Sequence, residues 1–232
     1  MLTPSSNTVL EPVSQAMLAG LPGVSVHFQR FPVTEIALSD HALAQLDDTP
    51  LLRAAELLAH ARVDAIAWNG TAAAWRGFET DLRLCERITA ATGAAATTSV
   101  LALNAALAER GVRRLGIVTP YLADVQARIL ANYAALGLDC VAERHLGLRD
   151  NFSFAEVTEA EIAALVQDVA TAAPDAIAVV CTNLRAAPLA AGLERRLGCK
   201  VFDTVATAIW QSLRLTGVDP APLAPWGSLF GG

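Results

Sequence analysis

Cysteine and charge are what this chain of 232 residues has little of, and each shortage removes a class of function. The four cysteines, Cys85, Cys140, Cys181 and Cys199, form no C-x-x-C pair and share no ligand spacing with the four histidines. Neither a disulfide framework nor a metal site is therefore expected, and a reducing cytoplasm is the natural compartment. Three of the four thiols have plain explanations. Cys85 falls with Phe78, Leu82 and Ile88 at helical spacing, and Cys140 and Cys199 open short apolar runs, where a thiol acts as a small hydrophobe. Charged residues make up only 17% and the net charge is −6, which argues against nucleic acid or an anionic membrane as partner. A small anionic ligand stays open, because a pocket can be locally positive. Met1-Leu2-Thr3-Pro4 has neither a basic segment nor an apolar run, so no export signal is expected. The longest uncharged run, Ile88 to Ala108, is punctuated by Thr89, Thr92, Gly93, Thr97, Thr98, Ser99 and Asn104, and reads as helix end, buried strand and next helix rather than a membrane span.

What the chain does have is a repeat. Asp64-Ala65-Ile66-Ala67-Trp68-Asn69-Gly70-Thr71 returns 111 positions later as Asp175-Ala176-Ile177-Ala178-Val179-Val180-Cys181-Thr182. Leu2-Thr3-Pro4 has its counterpart in Val118-Thr119-Pro120, and Gly93 to Ser99 in Gly198 to Thr204. A period this long is that of a small domain and not of a solenoid. The repeat predicts two pseudo-symmetric α/β halves facing each other: residues 1–109 with 206–232, and residues 110–205. With 53% hydrophobic residues, the chain can bury roughly 70% of its unfolded surface.

Short apolar, β-branched runs predict strands over Val24 to Phe31, Val63 to Trp68, Ala94 to Ala96, Arg114 to Val118, Leu138 to Ala142, Ala176 to Val180 and Lys200 to Phe202. Helical patterns lie between them, including continuous ones over Ala73 to Ala90 and Phe154 to Thr171. Such alternation implies doubly wound parallel sheets, which place ligands at the carboxyl ends of their strands. The residues there are rich in small hydroxyls and amides: Pro4 to Asn7, Asn69 to Ala72, Thr97 to Ser99, Pro120-Tyr121, Cys181 to Asn183 and Asp203-Thr204. The first strand is short, Met1 to Thr3. For the long connection from Phe31 to Pro50 a lid over the site is one explanation, and the Pro-rich tail from Asp219 is expected to lie along the surface with a loose Gly231-Gly232 end.

Pro4-Ser5-Ser6-Asn7-Thr8-Val9-Leu10-Glu11-Pro12, Val118-Thr119-Pro120-Tyr121, Arg149-Asp150-Asn151 and Cys181-Thr182-Asn183-Leu184-Arg185 together resemble the aspartate/glutamate racemase superfamily, in the branch of maleate cis-trans isomerases and arylmalonate decarboxylases. The resemblance runs from the first residues to about Thr216. It implies a cofactor-independent enzyme with its site in the cleft between the halves. Racemases of the superfamily carry a cysteine in each half; here Gly70 stands in the first position and Cys181 in the second, a pattern shared with the decarboxylases. Ala72 replaces a serine of those enzymes, and Thr182-Asn183 is closer to the isomerases.

Removing CO2 or a proton beside a carboxylate leaves a planar enediolate, which donors already aimed at its oxygens stabilise. Thr71, Tyr121 and Asn7 are the candidate donors, with the backbone N–H groups after Gly70 and Cys181. Cys181 is the candidate acid, because a thiol with an ordinary pKa of about 8.5 stays protonated at neutral pH. Ser6, Asn7, Thr182 and Asn183 precede helices and can present N–H groups to a carboxylate, or can simply cap those helices. Asn151 matches a substrate-binding asparagine of the isomerases, or is a turn residue beside Asp150. Asn69 and Trp68 shape the pocket by position. Trp68 and Trp75 hint at an apolar group on the substrate, or belong to the core. Three functions follow: a single-cysteine decarboxylase acting on a small carboxylate or dicarboxylate, a maleate-type isomerase, and a non-catalytic carboxylate binder. A homo-oligomer is possible.

Overall fold

A computed structural model describes residues 1–39 and 48–231. In chain order the first half runs β1 (Leu2–Pro4), α1 (Leu10–Leu18), β2 (Gln29–Phe31), α2 (Asp48–Ala59), β3 (Ala65–Trp68), α3 (Ala73–Arg76), α4 (Glu79–Thr92), β4 (Ala95–Thr98) and α5 (Ser99–Glu109). The second runs β5 (Arg114–Thr119), α6 (Ala123–Ala135), β6 (Asp139–His145), a 3-10 turn (Phe152–Glu156), α7 (Glu159–Ala170), β7 (Ala176–Val179), α8 (Ala187–Leu197) and β8 (Lys200–Asp203). The chain then returns as α9 (Thr204–Leu215), which packs on α5, β3 and β4, and closes with a 3-10 turn (Ala221–Trp226) against α8 and α1.

The strands form two four-stranded sheets, ordered β2-β1-β3-β4 and β6-β5-β7-β8, and every pairing within them is parallel. This is the expected α/β architecture of two doubly wound parallel-sheet halves. Helices cover both faces of such a sheet, so its central strands are apolar throughout: Ala176, Ile177, Ala178 and Val179 of β7 are all buried. The repeated octapeptide supplies the same strand in both halves, β3 and β7, each beside the first strand of its sheet. The repeat also ends helices alike. Gly93 and Gly198 close α4 and α8 at φ +75° and +65°, a left-handed conformation that favours glycine.

The sheet order reverses between β1 and β3 in one half and between β5 and β7 in the other. At such points the loops leaving adjacent strands diverge and open a crevice. The loops after these four strands carry Ser6 and Asn7, Asn69 to Thr71, Tyr121, and Cys181 to Asn183.

Several local expectations differ from the structure. The helix expected over Ala73 to Ala90 is broken at Gly77, whose φ of +106° no L side chain adopts comfortably. The one expected over Phe154 to Thr171 is divided by Thr158, which begins α7 with a capping box to Glu161. The strand expected over Val24 to Phe31 is regular only at Gln29–Phe31, because β1 spans three residues and offers partners only there. For the same reason β3 meets β1 at a single pair, Leu2 and Trp68. A cavity of about 350 Å³ lined by Met1, Val24, Val26, His27, Val63 and Ala65 opens beside Met1. The tail is not loose up to Gly231: Leu223, Leu229 and Phe230 are buried, Glu194 accepts from Ser228, and Arg110 donates to the carbonyls of Leu229 and Gly231 at 3.0 and 2.8 Å. Apolar burial anchors a segment that proline keeps out of helix.

Of the connection from Phe31 to Pro50, residues 40–47 lie outside the described residues. The part before them crosses to the second half, where Ile36 N donates to Arg149 O, Asn151 N donates to Thr34 O, and Glu35 forms an ion pair with Arg149. No helix among the described residues is long and apolar enough to cross a membrane.

Candidate active site

The two crevices face each other, and the loops at their floors are tied by side chains 32 to 175 positions apart. Asn7 Nδ2 donates to Thr182 Oγ1 at 3.1 Å, and that hydroxyl donates onward to Asn69 O at 3.0 Å. Asn183 Oδ1 accepts from Thr8 N and Val9 N, while its Nδ2 donates to Asn151 O at 2.6 Å. Asn151 Nδ2 donates to Ser6 Oγ, which donates to Val33 O. These contacts join Ser6, Asn7, Asn69, Asn151, Thr182 and Asn183 in one network. Asn7 Oδ1 caps the first turn of α1 by accepting from Val9 N and Leu10 N, so both ends of its amide are engaged within the protein. Asn183, Asn151, Thr182 and Ser6 are likewise engaged, and these five act as rivets between the halves.

Thr71, Tyr121 and Cys181 form a second group beside this network. Thr71 Oγ1 lies 2.6 Å from Tyr121 Oη, and the Tyr121 hydroxyl is an influence that pulls the Cys181 thiol down. Asn183 N donates to the same sulfur at 3.4 Å. Trp75 and Phe154 stand edge-on to the Tyr121 ring, with centroids 5.2 and 5.6 Å away, and fix the direction of its hydroxyl. Cys181 is 2% exposed and Thr71 5%, so the cleft is closed over them. Burial pushes the Cys181 thiol up to about 12, against the opposing pull of the Tyr121 and backbone hydrogen bonds. Burial also holds the Tyr121 phenol well above its ordinary value. Both groups therefore carry their protons at neutral pH.

Gly70, the counterpart of Cys181, has no room beside it. A Cβ on its backbone would meet Trp68 Cζ2 at 1.9 Å. Asn69 donates through Nδ2 to Ala67 O, while its Oδ1 is buried without a partner. Asp203 was not singled out from the sequence as a site residue. It ends β8, caps α9 through Oδ1 to Val205 N and Ala206 N, and leaves Oδ2 buried and unpaired. Burial raises its carboxyl to about 7, and its charge in turn raises the Cys181 thiol. Its position in the second half's last strand-to-helix junction was the available signal. Arg185, two residues past Asn183, is half-buried.

The structure thus gathers one thiol and two hydroxyls, all buried, where the loops of the two halves meet. Known proteins of two kinds are similar to this chain. An arylmalonate decarboxylase from Bordetella bronchiseptica is 31% identical over 158 residues, which span 67% of this chain and 66% of that relative's length. A crystal structure of arylmalonate decarboxylase superposes with a TM-score of 0.76 at 26% identity, covering 99% of this chain and 96% of that one. A maleate isomerase from Pseudomonas putida S16 shares the fold at a TM-score of 0.90 and 23% identity, covering 100% and 96%. The model of the family described as arylmalonate decarboxylase matches residues 29–230, and on that extent of agreement this chain belongs to the arylmalonate decarboxylase family.

Proposed function

We propose that this protein is a cofactor-independent decarboxylase of malonate-type dicarboxylates in which Cys181 is the only acid. The observation that carries the reading is the chain Thr71, Tyr121, Cys181, set against a glycine at the matching position of the other half. One carboxylate of the substrate takes hydrogen bonds from the Thr71 and Tyr121 hydroxyls. The bond to the second carboxylate breaks, CO2 leaves, and the electron pair enters the enediolate held by those donors. One such donor is worth about 3–4 kcal/mol of barrier. The Cys181 S–H then gives its proton to the carbon, and solvent restores the thiol. Since a single thiol serves one face, the product has one configuration. With these groups buried, the cleft must open to admit substrate.

The test is CO2 release from substituted malonates in deuterium oxide, comparing the native protein with Cys181→Ala. One deuterium placed on one face, lost in the variant, supports the reading; equal turnover by the variant overturns it. Maleate cis-trans isomerisation is the second reading, favoured by Thr182-Asn183. It requires a thiolate to add to the double bond, which a thiol pushed up to about 12 supplies poorly. Conversion of maleate without CO2 release would decide for it. Binding without any turnover would mark a carboxylate binder.

A further inference from the structure

Where the second half contributes a thiol, the first contributes an aromatic ring. A Cβ at Gly70 would lie 1.9, 2.4 and 2.5 Å from Trp68 Cζ2, Cε2 and Cη2. Carbon atoms in contact sit roughly 3.5–4.0 Å apart, so the benzo edge of the indole already fills the volume a side chain there would need. The ring is fixed: Trp68 is 4% exposed and packs on Phe31 with centroids 5.0 Å apart. The indole also walls a separate cavity of about 100 Å³, which Leu51, Ala72, Asp81 and Leu84 line with it. Alternation explains the contact, since Trp68 and Gly70 are two positions apart at a strand end and share a side of the chain.

We propose that Trp68 is the specificity-determining residue of the cleft, limiting the substituent on the reacting carbon to a small group such as methyl and excluding an aryl ring. The reaction rests on the decarboxylase reading above; the size limit rests on the ring's position over Gly70. An enediolate with its oxygens at Thr71 and Tyr121 sits beside Gly70, the residue before Thr71, so the indole over Gly70 takes volume that its substituent would need. Removing the indole joins that space to the neighbouring cavity.

The probes are methylmalonate and phenylmalonate, followed by CO2 release, and propionate and phenylacetate, followed by calorimetric binding, on the native protein, Trp68→Ala and Trp68→Leu. The native protein is expected to prefer the methyl member of each pair by about tenfold or more, the range of hydrophobic-pocket discrimination. Either variant should cut that preference by about tenfold. A native protein that prefers phenylacetate overturns the proposal with no variant needed, and so does an unmoved preference in a folded variant. If no malonate is turned over yet the binding preference moves as stated, the decarboxylase reading fails and the role of Trp68 stands. If none of the four acids binds, both fail.

Discussion

Replacing Tyr121 by phenylalanine removes one oxygen atom and tests the donor chain with little other change. The ring keeps its seat, because Trp75 and Phe154 hold it edge-on at 5.2 and 5.6 Å and touch carbon rather than the hydroxyl. The lost oxygen lies 2.6 Å from Thr71 Oγ1, so one buried hydroxyl loses its partner. That loss costs about 1–3 kcal/mol of stability, which in a chain of this size lowers the denaturation midpoint by roughly 2–12 °C. The same hydroxyl, as one enediolate donor, is worth about 3–4 kcal/mol in the transition state, or roughly 10²–10³ in kcat. Turnover of methylmalonate should therefore collapse in a protein that melts cooperatively and only slightly early. A further readout follows from the sulfur. The Tyr121 hydrogen bond holds the Cys181 thiol below where burial alone would place it. In the variant the thiol should titrate still higher, and its alkylation at a fixed alkaline pH should slow. A kcat within about threefold of native would refute the reasoning, and so would an activity loss matched by loss of the cooperative fold.

Three other outcomes are expected. Cys181→Ser should lower CO2 release by about 10²–10⁴ while leaving calorimetric binding of propionate within a few-fold; full activity would end the single-acid mechanism. Asn183→Ala should cost roughly 2–5 kcal/mol in urea denaturation, because Thr8 N and Asn151 O lose their buried partner, and an unchanged midpoint would show that the halves do not depend on this rivet. Asp203 titrates about 3.8 unfolded and about 7 folded, so between these values the folded state binds the extra proton and stability falls as pH rises from about 4 through 7. Its contribution to that fall is on the order of 4 kcal/mol. Asp81, likewise raised to about 7 by burial, adds to the same slope. Asp203→Asn should flatten the difference in denaturation free energy between pH 4.5 and 7.5, and a variant with the native slope would contradict the burial argument.

The sequence by itself determined the duplicated α/β layout and the ends of the strands at which chemistry gathers. An octapeptide repeated at a spacing of 111 residues specifies β3 and β7, because a run of small apolar residues closed by a polar turn is stable in the middle of a parallel sheet. It also determined that one half brings Cys181 and the other Gly70. Local interruptions were harder to read: Gly77 sits in a helical pattern, and only its φ of +106° shows that the chain turns there. Tertiary structure alone decided which polar residues rivet the two halves together and which meet around Cys181. Asn7 and Asn183 have the same chemistry in sequence as any substrate-binding amide, and only their partners 174 or 175 residues away show that they are engaged elsewhere. It alone brought Thr71 within 2.6 Å of Tyr121, pushed the Cys181 proton out of reach of neutral pH, and laid the Trp68 indole over Gly70. Pattern along a chain records which face a residue belongs to. Burial, hydrogen-bond competition and excluded volume arise between segments distant in sequence, and they exist only once the two halves have closed on each other.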